Sequence, residues 1–181
     1  GARDPLVRPA EDAAFVHGND GFGDVGLPAP KRVAETEHAA AAMVRLAKQH
    51  PGELTFVMLG PLTNLALALT LDPDLPKRVP RLVIMGGAVN GRGNVSRATS
   101  EFNIHFDPEA AAVVFGAWPE FELVDWEATL AHGIPFADLA GWLAADNPRA
   151  RFYDAISRKT REWMRHTRDI THWHAADGLA M

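Results

Sequence analysis

The sequence predicts an α/β fold: an open, mostly parallel sheet with flanking helices. Two short, continuous apolar runs, Leu54-Thr55-Phe56-Val57-Met58-Leu59 and Arg81-Leu82-Val83-Ile84-Met85, read as strands buried on both faces. Around them lie longer segments whose apolar residues recur at helical spacing. Strands alternating with helices imply parallel pairing through right-handed crossovers. No internal repeat, low-complexity tract or linker interrupts the 181 residues, so a single domain over 1–181 is expected.

The elements follow in order. Residues 1–30 are rich in Gly, Pro and Asp and read as loop, enclosing His17-Gly18-Asn19-Asp20-Gly21-Phe22-Gly23. Over 33–50, Ala40, Met43, Val44 and Ala47 share one helical face, and Pro51-Gly52 stops that helix. After the strand at 54–59, Gly60-Pro61 turns into a second helix with Pro61 near its first position; it ends before Pro73. The strand at 81–85 runs into a glycine-rich loop over 87–106. Asp107 then caps a helix with Pro108 at its first position, continuing to Phe115. A strand at 121–126 precedes helices at 136–145 and 148–165, and Asp177-Gly178-Leu179-Ala180 opens another.

Composition removes several function classes. Basic residues number 18 against 23 acidic, a net charge of −5 with no basic run, so phosphate neutralisation on nucleic acid has no support. The absence of cysteine excludes disulfides, thiolate metal sites and a cysteine nucleophile. No apolar run reaches membrane-spanning length, and Gly1-Ala2-Arg3-Asp4-Pro5 has no signal-peptide character. A cytoplasmic protein without nucleic-acid or membrane partners is expected. Truncation at both ends is also expected: no initiator Met is present, and Met181 closes a helix that has barely begun.

The informative stretch is 85–109. Long loops in compact domains are usually functional, and a loop leaving the C-terminal end of a strand is where open α/β proteins place ligands. This one carries Asn94, Glu101, Asn103 and His105. Amides and one carboxylate suit a neutral polyhydroxyl ligand such as a sugar. Gly91-Arg92-Gly93-Asn94-Val95-Ser96 is no dinucleotide fingerprint, because the third glycine and the following helix are missing. In extended chain, Glu101 and Asn103 would face one ligand while Phe102 anchors the loop. An ordinary surface loop of turn formers reads equally well from this tripeptide alone. Leu59-Gly60-Pro61-Leu62-Thr63-Asn64 is helix punctuation by composition; its functional reading gives the Leu59 carbonyl to a hard cation. His172-Trp173-His174 with Asp177 invites a metal reading but lacks a third ligand at usable spacing.

Seven segments in order resemble the inosine–uridine preferring nucleoside hydrolase family. They are 17–23, 59–64, Met85-Gly86-Gly87, Gly93-Asn94, Glu101-Phe102-Asn103, Asp107-Pro108-Glu109-Ala110-Ala111 and 177–181. The resemblance implies a Rossmann-like nucleoside hydrolase fold. It also implies hydrolysis of the N-glycosidic bond of purine or pyrimidine ribonucleosides by water activated on one Ca²⁺. By position, the Leu59 main-chain carbonyl and Asp177 resemble two ligands of that ion. Met85, Asn94, Glu101 and Asn103 match the ribose pocket, and His17 matches the histidine near the base. The family opens with an Asp-x-Asp-x-x-x-Asp-Asp cluster that supplies other metal ligands and the general base; residues 1–30 do not reproduce it. Further chain is therefore expected before Gly1 and after Met181, and the fragment alone is expected to be inactive. Several members carry His-Asp at the last motif, where this chain has Ala176. His174 is then the candidate leaving-group acid, with His172 beside it. The resemblance implies a homo-oligomer in the full-length form. The alternative is a non-catalytic nucleoside- or sugar-binding module of the same fold.

Overall fold

The computed structural model describes residues 1–167 and 171–181. In chain order its elements are α1 (Ala14–His17), α2 (Ala39–Gln49), β1 (Thr55–Met58), α3 (Thr63–Leu71), α4 (Leu75–Arg78), β2 (Arg81–Met85) and α5 (Phe102–Phe106). There follow α6 (Pro108–Ala117), β3 (Glu122–Val124), α7 (Trp126–Ala131), β4 (Ile134–Pro135), α8 (Phe136–Leu143), α9 (Pro148–Thr167), β5 (His172–Trp173) and α10 (Ala176–Ala180). They group into two compact units. The first holds residues 1–10, 34–131 and 176–181; the second holds 11–33 and the described part of 132–175.

The first unit is the predicted α/β layer. Its sheet runs β1-β2-β3, all parallel, with Phe56 opposite Leu82 and Ile84 opposite Leu123. β2 lies between two partners, and its Leu82, Val83, Ile84 and Met85 are all buried, as a continuous apolar run requires. β1 departs from expectation. It is an edge strand in this sheet, with Thr55 exposed and Val57 39% exposed, so it is not buried on both faces.

Helices α2, α3 and α6 complete one core with the sheet, through Ala40, Val44, Ala47, Leu62, Leu65, Leu69 and Val114 against Leu82 and Ile84. Trp118 joins this core and its indole N–H donates to the Val79 carbonyl at 3.2 Å, so burying the ring leaves no orphaned donor. Helix ends follow their caps. α2 starts at Ala39 rather than 33 because the His38 ring accepts from the Ala40 N–H at 3.2 Å. Pro61 falls before α3 rather than at its first position. Asp107 caps α6 as expected, accepting from the Ala110 N–H at 3.0 Å. The third strand stops at Val124, and Trp126 begins α7 instead of ending the strand.

In the second unit the antiparallel pair β4-β5 sets Ile134 opposite Trp173, above a small core of Leu139, Met164 and Trp173. The expected all-loop opening contains α1, which packs on α9. Asp24, held at φ +57°, accepts from Lys159 Nζ at 2.5 Å.

Candidate functional site

The site begins where β2 ends. After Met85 the chain turns through Gly86-Gly87, and Gly87 has φ +80°, a left-handed conformation that side chains other than glycine rarely adopt. The turn is fixed to the neighbouring strand: the Gly86 N–H donates to the Val124 carbonyl at 3.1 Å, and the Trp126 N–H to the Gly87 carbonyl at 2.9 Å.

Glu101 braces this turn. It is 2% exposed and caps α5, accepting from the Asn103 N–H at 2.9 Å and the Ile104 N–H at 3.2 Å. Its Oε2 also accepts from the Gly87 N–H at 3.0 Å, and the Asn94 side chain bonds to the same carboxylate. A carboxylate has about four lone-pair sites, so these four donors fill it. Burial pushes the Glu101 carboxyl above its ordinary value, outweighing the amide hydrogen bonds that favour the charged form.

Asn103 projects from the first turn of α5. Its Nδ2 donates to the Met85 carbonyl at 3.2 Å and lies 3.4 Å from the Leu59 carbonyl, with the Met85 sulfur at 3.3 Å. The side chain thus bridges the C-terminal ends of β1 and β2. Its two N–H groups face protein acceptors, which leaves Oδ1 to accept from a ligand hydroxyl. Asn94 Oδ1 accepts from the Phe102 N–H at 2.8 Å, which joins the two arms of the loop. The arms cross at Gly93, where a β-carbon would fall 1.9 Å from the Ser100 carbonyl oxygen.

The structure brings Met85, Asn94, Glu101 and Asn103 together, but with a local geometry other than the one expected. Residues 102–106 are helical, so Glu101 and Asn103 do not face one side of an extended strand. Glu101 turns inward to main-chain amides, while Asn103 turns to the strand ends. Asp107, read only as a cap, is fully buried and also accepts from Thr63 Oγ1 at 2.6 Å and the Leu6 N–H at 2.9 Å. That links the segments at 59–64 and 107–111, which lie far apart in sequence.

Leu59 packs in one apolar cluster with Val83, Met85, Val124 and α10 residues Ala176 and Ala180. Asp177 lies on that helix and is exposed. No group of three or more His, Cys, Asp or Glu able to hold a metal occurs among the described residues. Calcium takes about six to eight oxygens. The Leu59 carbonyl and one carboxylate fall well short, so the described residues do not by themselves fit the expected ion.

The candidate histidines lie in the second unit. His17 ends α1 and is exposed, and its carbonyl accepts from the Gly23 N–H at 2.7 Å. β5 stops at Trp173, so His172 and His174 do not lie together on one strand. Both nevertheless crowd Gly133: a β-carbon there would lie 2.8 Å from His174 Cε1 and 2.9 Å from His172 Cβ.

Comparison with known proteins gives the same direction. The family model described as inosine-uridine preferring nucleoside hydrolase matches residues 1–181. The chain is 40% identical over 151 residues to "Probable uridine nucleosidase 1" of Oryza sativa subsp. japonica, covering 83% of this chain and 46% of that protein. Among solved structures it resembles "Plant nucleoside hydrolase - PpNRh1 enzyme" with TM-score 0.86 and 32% identity, over 92% of this chain and 52% of that one. It also resembles "Purine-Preferring Ribonucleoside Hydrolase from Gardnerella vaginalis" with TM-score 0.87 and 27% identity, over 98% and 57%. The chain spans about half the length of the curated relatives it matches.

Proposed function

The chain belongs to the inosine-uridine preferring nucleoside hydrolase family, and from that premise we propose that the whole protein hydrolyses the N-glycosidic bond of ribonucleosides to ribose and free base. The observation that carries this reading is the bridge made by Asn103 across the carbonyls of Leu59 and Met85, beside the fully bonded Glu101 carboxylate. It presents an amide oxygen at the C-terminal ends of two parallel strands, where open α/β proteins bind ligands.

Cleavage of C1′–N builds positive charge on the ribose in an oxocarbenium-like transition state. The residues of this chain serve that step by holding the sugar. Asn103 Oδ1 accepts from a ribose hydroxyl, and Met85 forms the apolar wall beneath the ring. Glu101 and Asn94 act as one unit with Asn103: their bonds to the amides of Gly87, Phe102, Asn103 and Ile104 fix its position before substrate arrives. By the family resemblance alone, His17 is proposed for contact with the base and His174 as leaving-group acid.

The proposed ion is calcium, on the oxygen-only character of the Leu59 carbonyl and Asp177. It supplies Lewis acidity and a nucleophilic water when bound. Two donors do not make such a site, so the part played by residues 1–181 is to hold the sugar and the base. The substrate is a small molecule, and the partner is a second copy of the whole protein. Among the described residues no helix is long and apolar enough to cross a membrane; a cytoplasmic site of action is part of the same proposal.

The test is a reducing-sugar assay of the whole protein with inosine and uridine in the presence of calcium. Release of ribose from at least one is expected. Nucleoside binding without release would identify a binding module instead, and neither binding nor release would overturn both readings.

A further inference from the structure

Three main-chain N–H groups of the glycine loop end on two carboxyls that no motif singles out. Asp125 follows β3, and its Oδ1 accepts from the Ala128 N–H at 2.8 Å at the start of α7, while Oδ2 accepts from the Val89 N–H at 3.2 Å. Glu127 Oε1 accepts from both the Asn90 N–H at 3.0 Å and the Arg92 N–H at 2.9 Å. Between them Gly91 closes a turn onto the Ala88 carbonyl at 3.0 Å with φ +75°. Every amide from 89 to 92 is thereby satisfied. The next two residues are Gly93, where the arms cross, and Asn94, which holds Phe102 and Glu101.

Neither carboxyl forms an ion pair with a lysine or arginine among the described residues, so their use lies in the loop. Glu127 Oε2 is buried with no hydrogen-bond partner. Burial pushes Asp125 up, but hydrogen bonds, those from the Ala128 and Val89 amides among them, outweigh it and hold Asp125 low.

We infer that Asp125 and Glu127 are positioning residues of the ribose clamp, holding the main chain of 89–92 so that Asn94 meets Glu101 and Phe102. This rests on the proposal that residues 85–103 bind ribose. Glutamine is the informative replacement: its side-chain oxygen can still accept from the same two main-chain amides. Alanine leaves both amides without a partner.

The experiment has two arms. In this chain, amide exchange followed by NMR should show Glu127→Ala speeding exchange at Asn90 and Arg92 by at least about 10-fold. Asn103 and Ile104 should be unchanged, and Glu127→Gln should restore protection. In the whole protein, Glu127→Ala should raise KM for the cleaved nucleoside about 10-fold with kcat within about 2-fold, and Glu127→Gln should recover the KM. Unchanged exchange with unchanged KM, or a glutamine variant as damaged as alanine, would overturn the inference. If the wild-type protein releases no ribose, the proposed activity fails, and the exchange arm still decides whether these carboxyls hold the loop.

Discussion

At the scale of single residues, the site is organised by Glu101. A carboxylate that is 2% exposed is costly unless fully bonded, and here three main-chain amides and Asn94 supply the bonds. Its carboxyl is nonetheless pushed above the ordinary 4.5 by burial, so the folded chain holds this proton more tightly than the unfolded chain does. The stabilisation linked to that proton is fully present below the unfolded value and is lost as pH rises through the folded value. Relative to Glu101→Gln, the wild type should therefore lose stability across that window in urea melts at stepped pH. A difference between the two that stays constant with pH would show that Glu101 does not carry the linkage. The sequence singles out Glu101 as a candidate, but not its inward direction. Glutamate is not among the favoured N-caps, so nothing local marks a cap at that position.

At the scale of elements, legibility tracked the strength of local chemistry. β2 falls at 81–85, as its unbroken apolar run requires, and α6 begins at Pro108 behind a buried aspartate cap. α5 escaped because five residues, Phe-Asn-Ile-His-Phe, carry too little periodicity to separate helix from loop, and the cap that starts it depends on the distant Gly87 turn. The Asp125-x-x-Ala128 cap was readable in principle; the grip of Asp125 and Glu127 on 89–92 was not, since it joins segments far apart in the chain. Two glycines separate loop constraint from helix preference. Gly93→Ala should lower stability by about 1–3 kcal/mol, because the Ser100 main chain must move. Gly116→Ala, within α6 and with open space around its added carbon, should raise stability by about 0.5–1 kcal/mol. Chemical denaturation of both variants checks the pair; equal effects would mean that the arms do not cross as described.

At the scale of the whole molecule, the α/β layer and its parallel sheet were legible from alternation alone, while the division into two compact units was not. The short β4-β5 pair that anchors the second unit is only two residues long on each side, below any periodic signal. The donor inventory carries its own prediction. Calorimetric titration of this chain with calcium should show no specific binding, because a carbonyl and one carboxylate leave most of the coordination shell empty. A stoichiometric, tight site would contradict the ligand reading. The proposed function stands or falls with Asn103 as the residue that holds ribose at the ends of β1 and β2. The decisive comparison is kcat/KM of the whole protein for its best nucleoside, wild type against Asn103→Ala. Loss of one hydroxyl contact together with the strand bridge should lower kcat/KM by about 10- to 100-fold. A variant cleaving the nucleoside with the wild-type kcat and KM would contradict that role for Asn103.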